Sequence, residues 1–367
     1  MTKVAILIPT KNRSEFLIRQ LRYYASVKSP HPVYIGDASN GTHKEVTERA
    51  VKKLQSEIPI SYNYWPELDD RQAFKKLGEA ATEKYCAYTG DDDFLIPNSL
   101  IRCAEFLKNN PKYRSAQGKG VLFTLEESLP YGVFNGLGTY WQKMEAFEES
   151  GEKRLLNFCK NYWVPDFSVN RTNEFCEDMQ GNTTPCRHIG ELVRTCTVIC
   201  RGKSKFLDCL YLIRQGNVAK NYSPDVFDWL THPDWQPSYQ TFRSVLVSTL
   251  TEVDGISNER ASAIVKKAFW SYLAISMNLK YNLKYTKASI KTTLKANIKT
   301  SLREYARTVP WLKNMVNIMQ SAKGVIRAGN GELSLPALLH HTSPYHKDFL
   351  PVYDIISEKD KSFGHVL

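Results

Sequence analysis

The chain has 367 residues, 42% of them apolar and 12% aromatic, which is enough for two domains with a sizeable core and excludes disorder as the default. Its net charge of +11 is concentrated: residues 280–330 hold eleven Lys or Arg against one acid, Glu304, and the remainder is near neutral, which argues against a general nucleic-acid-binding surface. Eight cysteines stand without a CxxC pair and no export signal is legible near Met1, so reduced thiols in a cytoplasmic protein are expected and a zinc site is not.

Val4, Ala5, Ile6, Leu7 and Ile8 read as a buried strand ended by Pro9. Phe16, Leu17, Gln20, Leu21 and Tyr24 then fall at helical spacing, with Ser14 as the expected N-cap and Asn12 and Arg13 in the loop. Further strands are predicted at 33–35, 58–65 and 85–89, and further helices at 46–54, 73–81 and 99–107. Strands alternating with helices in this way predict a parallel sheet covered on both faces, whose ligands bind beyond the carboxyl ends of the strands. The residues just past those ends are unusually polar: Thr10, Lys11, Asn12 and Arg13, then Asp37, then Asp91, Asp92 and Asp93.

From 111 to 215 the pattern loosens into short strands, expected at 120–125 and 195–200, and aromatic loops such as 162–165. From 216 onward it is mostly helical, with the clearest pieces at 225–230, 242–251 and 258–279. The last of these is interrupted by Lys266 and Lys267, which suits an amphipathic helix and not a membrane span.

Three consecutive carboxylates after a buried strand raise one another's pKa unless a cation neutralises them. Oxygen-only ligation suits Mg²⁺ or Mn²⁺, and such an ion is commonly shared with substrate phosphates. The competing explanation is that the three acids favour the dipole of the helix that begins near Ser99. The surrounding sequence weighs against it. The run from Val4 to Arg13 resembles the opening strand of glycosyltransferase family 2. Tyr85 to Phe94, with Pro97 beyond, resembles that family's acidic DXD-type segment, and Tyr34 to Ser39 its second-strand signature. The three segments come in the family's order and at about its spacing, over roughly the first 110 residues. One departure is Gly90, which stands where many relatives carry a further acid.

The resemblance implies a GT-A-like α/β fold with a mixed, mainly parallel sheet flanked by helices, a catalytic domain over 1–215, and a mainly helical region over 216–367. It implies an inverting, metal-dependent transfer of a sugar from a nucleoside-diphosphate donor, with a UDP-sugar favoured, to a carbohydrate or lipid-linked acceptor in surface polysaccharide or glycolipid synthesis. Thr10, Asn12, Arg13, Asp37, Arg71 and Asp91 would bind the nucleotide. Asp92 and Asp93 would hold Mn²⁺ or Mg²⁺. An inverting displacement needs a base on the face opposite the leaving nucleotide. Glu191, at the mouth of a predicted helix and beside Gly190, is the first candidate, with Asp166 and Asp178 as substitutes. Arg214 and His188 are candidates for phosphate or acceptor contacts. The structural alternatives are a surface pair of Arg71 with Asp69 or Asp70 and an ordinary capping role for Glu191.

Lys287, Lys291, Lys295, Lys299, Arg303 and Arg307 recur every four residues beside Ile290, Leu294, Ile298 and Leu302. A basic ridge beside an apolar row, followed by Trp311, is what helices at an anionic membrane surface show, so a peripheral contact at the inner face of the membrane is expected. A solvated helix packed on the catalytic domain is the plainer alternative. Sugar-nucleotide synthesis would need a Gly-rich phosphate loop after the first strand, and residues 9–13 have none. A non-catalytic relic of the fold, binding nucleic acid or membrane through the basic helix, is the rival of another class. The intact acidic run argues against it, and no nucleic-acid partner is expected.

Overall fold

The computed structural model describes residues 2–141, 145–163, 166–218, 231–277, 329 and 331–357. The basic stretch from Lys287 to Arg307 and the helix expected at 225–230 lie outside the described residues.

Four strands form a parallel array in the order β3-β2-β1-β4: β1 (Val4–Thr10), β2 (Val33–Asp37), β3 (Ile60–Tyr64) and β4 (Tyr85–Tyr88). β1 is a continuous apolar run because both faces are covered, and all five residues from Val4 to Ile8 are fully buried. The intervening helices are α1 (Ser14–Ser26), α2 (Gly41–Leu54) and α3 (Asp70–Ala80), with α4 (Pro97–Asn109) following the acidic run. On α1, Leu17, Leu21 and Tyr24 face the core at helical spacing. Ser14 opens this helix but does not cap it. The cap position is Arg13, without a side-chain cap bond, and Ser14 Oγ is hydrogen-bonded to His43 Nδ1 at 2.9 Å.

The second half of the sheet is mixed. β6 (Tyr113–Leu125) runs parallel to β9 (Lys203–Gln215) and antiparallel to β7 (Phe134–Trp141) and β8 (Val169–Arg171). β8 also pairs antiparallel with β4, joining the two halves. The two-residue strand β5 (Phe94–Leu95) pairs antiparallel with β9, with Phe94 opposite Ile213. That register sets the end of β9 against the acidic run. The result is the mixed, GT-A-like α/β sheet that the sequence implies.

A second apolar cluster is helical. α5 (Gly151–Lys160), α7 (Arg187–Arg201), α8 (Trp235–Asp254) and α9 (Asn258–Met277) bring together Phe158, Leu192, Phe242 and Phe269, drawing on residues either side of position 215. α6 (Thr172–Asp178) lies between α5 and α7 in the chain. The strand expected at 195–200 lies inside α7. Its β-branched run suggested a strand, but Ile189, Leu192, Val193, Cys196, Ile199 and Cys200 are buried at helical spacing, and Thr197 Oγ1 returns its hydrogen bond to the carbonyl of Val193 at 2.8 Å. Burying one helical face outweighed local propensity.

The last elements, α10 (Leu335–Leu339) and α11 (His346–Ser357), pack on the sheet core through Phe349, Val352 and Ile356. Lys119 and Tyr345 both meet Asp208 at 2.6 Å, tying this segment to β6 and β9. Among the described residues no helix is long and apolar enough to cross a membrane. Phe349→Ala is expected to lower the unfolding free energy by about 3–5 kcal/mol in urea titration, since it empties a fully buried site. A loss below about 1 kcal/mol would show that α11 is not part of the sheet core.

Candidate functional site

The end of β4 turns through Thr89 and Gly90 into Asp91, Asp92 and Asp93, all three of them buried. Burying three adjacent carboxylates is costly unless cations and donors meet them. Three elements supply these. From the β1–α1 loop, Arg13 spans two acids, with Nη1 at 3.1 Å from Asp91 Oδ1 and Nη2 at 3.1 Å from Asp92 Oδ2. Thr10 Oγ1, at the end of β1, donates to Asp91 Oδ2 at 2.8 Å. From β9, Arg214 Nε donates to Asp93 Oδ2 at 2.9 Å and Nη1 to the Tyr140 hydroxyl at 2.7 Å. From α1, Arg19 Nη2 donates to the Asp92 carbonyl at 2.9 Å, and Gln20 Nε2 to the carbonyls of Gly90 and Asp93 at 3.0 and 2.6 Å.

Three guanidinium groups thus surround three carboxylates. Burial, opposed by Arg13 and reinforced by Asp92, holds the Asp91 carboxyl well above the usual range. Arg19 is fully buried, and burial pulls its guanidinium down to about 10. Its other acceptors are Gln215 Oε1 at 2.7 Å and the Pro130 carbonyl, and it stacks on Phe94 and Phe16. Gly90 lies close against the acidic run. A Cβ there would lie 2.7 Å from Asp92 Oδ1.

The β1 and β2 loops are laced together beside this cluster. Thr10 and Asp37 are register partners across the two strands. Asp37 is fully buried and both its oxygens are engaged within the chain, Oδ1 by the Ser39 N–H at 2.7 Å and Oδ2 by the Tyr62 hydroxyl at 2.9 Å. Asn12 adopts a left-handed conformation (φ 55°), which asparagine tolerates. Its N–H donates to Ser39 Oγ at 2.7 Å and its Oδ1 accepts from the Asn40 N–H at 3.0 Å. Arg71 bonds Asp69 Oδ2 at 3.1 Å, as the surface-pair alternative has it, but its Nη1 also donates to the Thr184 carbonyl at 2.8 Å, next to the start of α7. A Cβ on Gly190 would come within 3.0 Å of that same nitrogen.

Glu191 sits early in α7, half-buried, where Tyr162 donates its hydroxyl to Oε1 at 3.3 Å. His188, one turn earlier, is hydrogen-bonded through Nε2 to the Tyr272 hydroxyl at 2.6 Å, and the Tyr162 and Tyr272 rings meet at 4.8 Å. Burial raises the Tyr140 hydroxyl; Arg214 opposes that, and the charges of Asp93 and Glu191 add to it. Behind them Asp166 is paired with Arg194, which also bonds the Tyr88 hydroxyl and lies 4.3 Å over the Tyr88 ring. Asp178 is held by Arg114 at 2.9 Å and Arg201 at 3.1 Å.

Among the described residues no three His, Cys, Asp or Glu side chains converge as a complete metal-ligand set. The pair of carboxylates spanned by one cation is Asp91 with Asp92, whereas the sequence reading placed a metal on Asp92 and Asp93. Asp93 is instead held by Arg214. Two aspartates still suit a hard cation that takes its remaining oxygens from a bound diphosphate, as Mg²⁺ commonly does. Sequence reasoning missed Arg19, Gln215, Tyr140 and Arg194. Gln20 was legible, because a polar residue in the apolar stripe of α1 signals a buried hydrogen bond.

No protein-family model matches the chain, and no curated protein matches it. Among solved structures it is similar to Staphylococcus aureus TarS 1–349 in complex with UDP-GlcNAc, with TM-score 0.50 and 16% identity over 97% of this chain and 90% of that one. The same TarS fragment with UDP matches at TM-score 0.49 and 15% identity, over 78% and 76% of the two chains. The mannosyltransferase PcManGT from Pyrobaculum calidifontis, in complex with GDP-Man and Mn²⁺, matches at TM-score 0.41 and 12% identity, over 87% and 85%. Of these three the first is close enough to bear on the fold, and at 16% identity it bears on the fold alone.

Arg19→Met is expected to lower the unfolding free energy by roughly 3 kcal/mol in chemical denaturation, because several buried acceptors lose a charged donor together. Unchanged stability would show that the buried guanidinium does not hold the acidic run.

Proposed function

We propose that the chain is a nucleotide-sugar-dependent glycosyltransferase of the family 2 type, moving a sugar with inversion from a nucleoside diphosphate to an acceptor hydroxyl. The observation that carries this reading is the Thr10–Asp91–Arg13–Asp92 constellation beyond the carboxyl ends of β1 and β4, where open α/β sheets bind their ligands. The donor site lies within residues 1–215, and α8 and α9 complete the second core. A UDP-sugar is the first donor to test, since a chain of the same fold was solved with UDP-GlcNAc.

In this reading Arg13 and Arg214 approach the donor's diphosphate with forked guanidinium groups. Asp91 and Asp92 would hold Mn²⁺ or Mg²⁺, which when bound supplies positive charge beside the leaving diphosphate. Asp37 and Asn12 keep the β1 and β2 loops in place for the nucleoside, and Arg71, bonded to the Thr184 carbonyl, is a further nucleotide contact. Glu191 takes the proton of the acceptor hydroxyl as that oxygen attacks the anomeric carbon, and the bond to the diphosphate oxygen breaks on the opposite face. Tyr162, donating to Oε1, orients the carboxylate for this transfer, and His188 stands one turn away as an acceptor contact. The acceptor is a carbohydrate or lipid-linked hydroxyl in surface polysaccharide or glycolipid synthesis. The basic stretch at 280–330 would meet an anionic membrane from the cytoplasmic side.

A thermal-shift screen of nucleoside diphosphates with and without Mn²⁺ tests the donor half. One nucleotide is expected to raise Tm only with metal, and Asp91→Asn with Asp92→Asn to abolish the shift. If no nucleotide stabilises the protein, the transferase reading fails. For the acceptor half, Glu191→Gln should lower kcat by about 10²–10⁴-fold with donor Kd unchanged. A kcat within a factor of about two of the parent would remove Glu191 from the base role.

A further inference from the structure

We infer that Arg13 is a displaceable internal counter-ion, which fills the cation's place between Asp91 and Asp92 until donor and metal enter and then passes to the donor's diphosphate. This rests on the transferase reading for the identity of the diphosphate, but its metal arm stands apart from it.

The three arginines of the cluster are not equivalent. Arg19 is a fully buried residue of α1, bonded to the Asp92 carbonyl, Gln215 and Pro130, and cannot leave without unpacking that helix. Arg214 is fixed in β9, bonded to Asp93 and Tyr140 and stacked 4.6 Å from the Phe167 ring. Arg13 lies in the loop between β1 and α1, next to the left-handed Asn12, and its side chain is 28% exposed against 15% for Arg214. Its Nη2 meets Asp92 Oδ2 at 3.1 Å. It is therefore the most exposed and least anchored in regular structure of the three, held by its two ion pairs and by the Phe16 ring 4.6 Å from its guanidinium carbon.

Charge balance says why it has to move. Three guanidinium groups face the three carboxylates, so the pocket has no surplus of negative charge to offer an added cation. A divalent ion added to the same two oxygens would confront Arg13 within a few ångströms in a poorly screened site. Coming with a diphosphate, the ion finds its charge matched, and Arg13 finds new oxygens. The contact of Arg13 with Asp91 and Asp92 consequently opposes metal binding by the free protein and favours joint binding of metal and nucleotide.

The test is a Mn²⁺ titration of the full chain followed by EPR, with and without UDP, on the parent, Arg13→Gln and Arg13→Lys. Without nucleotide, Arg13→Gln is expected to bind Mn²⁺ about tenfold more tightly than the parent, with Arg13→Lys between them, since it keeps the charge and loses the fork. With saturating Mn²⁺, Arg13→Gln should bind UDP about tenfold more weakly, the diphosphate having lost its guanidinium. Equal or weaker Mn²⁺ binding by Arg13→Gln without nucleotide, or no Mn²⁺ binding by any of the three, overturns the inference. Circular dichroism shows whether each variant folds, and Arg13→Lys decides the matter if Arg13→Gln does not. If the Mn²⁺ order holds but no protein binds UDP or GDP, the counter-ion role stands and the transferase reading falls.

Discussion

Three consecutive carboxylates are buried at one edge of the sheet, and much of the surrounding architecture follows from offsetting their charge there. The penalty for each ion withdrawn from water is several kcal/mol even after relaxation. No single neighbouring segment can repay that. The chain brings Arg13 from the β1–α1 loop, Arg19 from one face of α1, and Arg214 from the end of β9, 121 residues from Asp93 in sequence. The pairing of β5 with β9, only two residues long, makes sense in these terms. Placing Phe94 opposite Ile213 puts the next residue on each strand, Asp93 and Arg214, side by side.

The second core has a comparable role for Glu191. This residue lies on α7, whose buried face packs with α5, α8 and α9. Two polar contacts hold its surroundings from that side: the Tyr162 hydroxyl on Glu191 itself and the His188–Tyr272 bond. A third group, Asp166 with Arg194 and Tyr88, joins α7 to the end of β4. The helix that offers the carboxylate is thus fixed to the strand that offers the acidic run. The two carboxylate sites have different neighbours, one matched by arginines and one bonded to a tyrosine.

The alternating half of the fold was legible because β1, β2 and β4 are buried on both faces and the helices between them keep a plain 3.6-residue stripe. The strand expected at 195–200 was not, because Thr-Cys-Thr-Val-Ile-Cys carries strand propensity locally and only the partners of α7 decide in favour of a helix. The same division holds at the site. That the acidic run demands positive charge follows from its sequence, but which charge meets it does not. Arg13 precedes Asp91 by 78 positions and Arg214 follows Asp93 by 121, and nothing local to either announces the pairing. A metal was the economical expectation from residues 91–93 alone; three converging arginines are a property of the folded sheet.

This pairing also bears on how the chain's net charge of +11 should be understood. Arg13, Arg19 and Arg214 are matched by Asp91, Asp92 and Asp93, so the site projects little field beyond its own edge. Over a separation longer than the Debye length, about 8 Å at physiological ionic strength, exposed charges elsewhere hardly reach it. The surplus sits instead in residues 280–330, with a net +10, in a part of the chain that supplies none of the residues of the acidic cluster. On the proposed function, long-range attraction to an anionic surface and short-range recognition of a diphosphate would be separate properties, carried by different lysines and arginines. Removing basic residues from 280–330 would then alter the first and leave the second, which would depend on guanidinium groups paired with carboxylates within 3.1 Å.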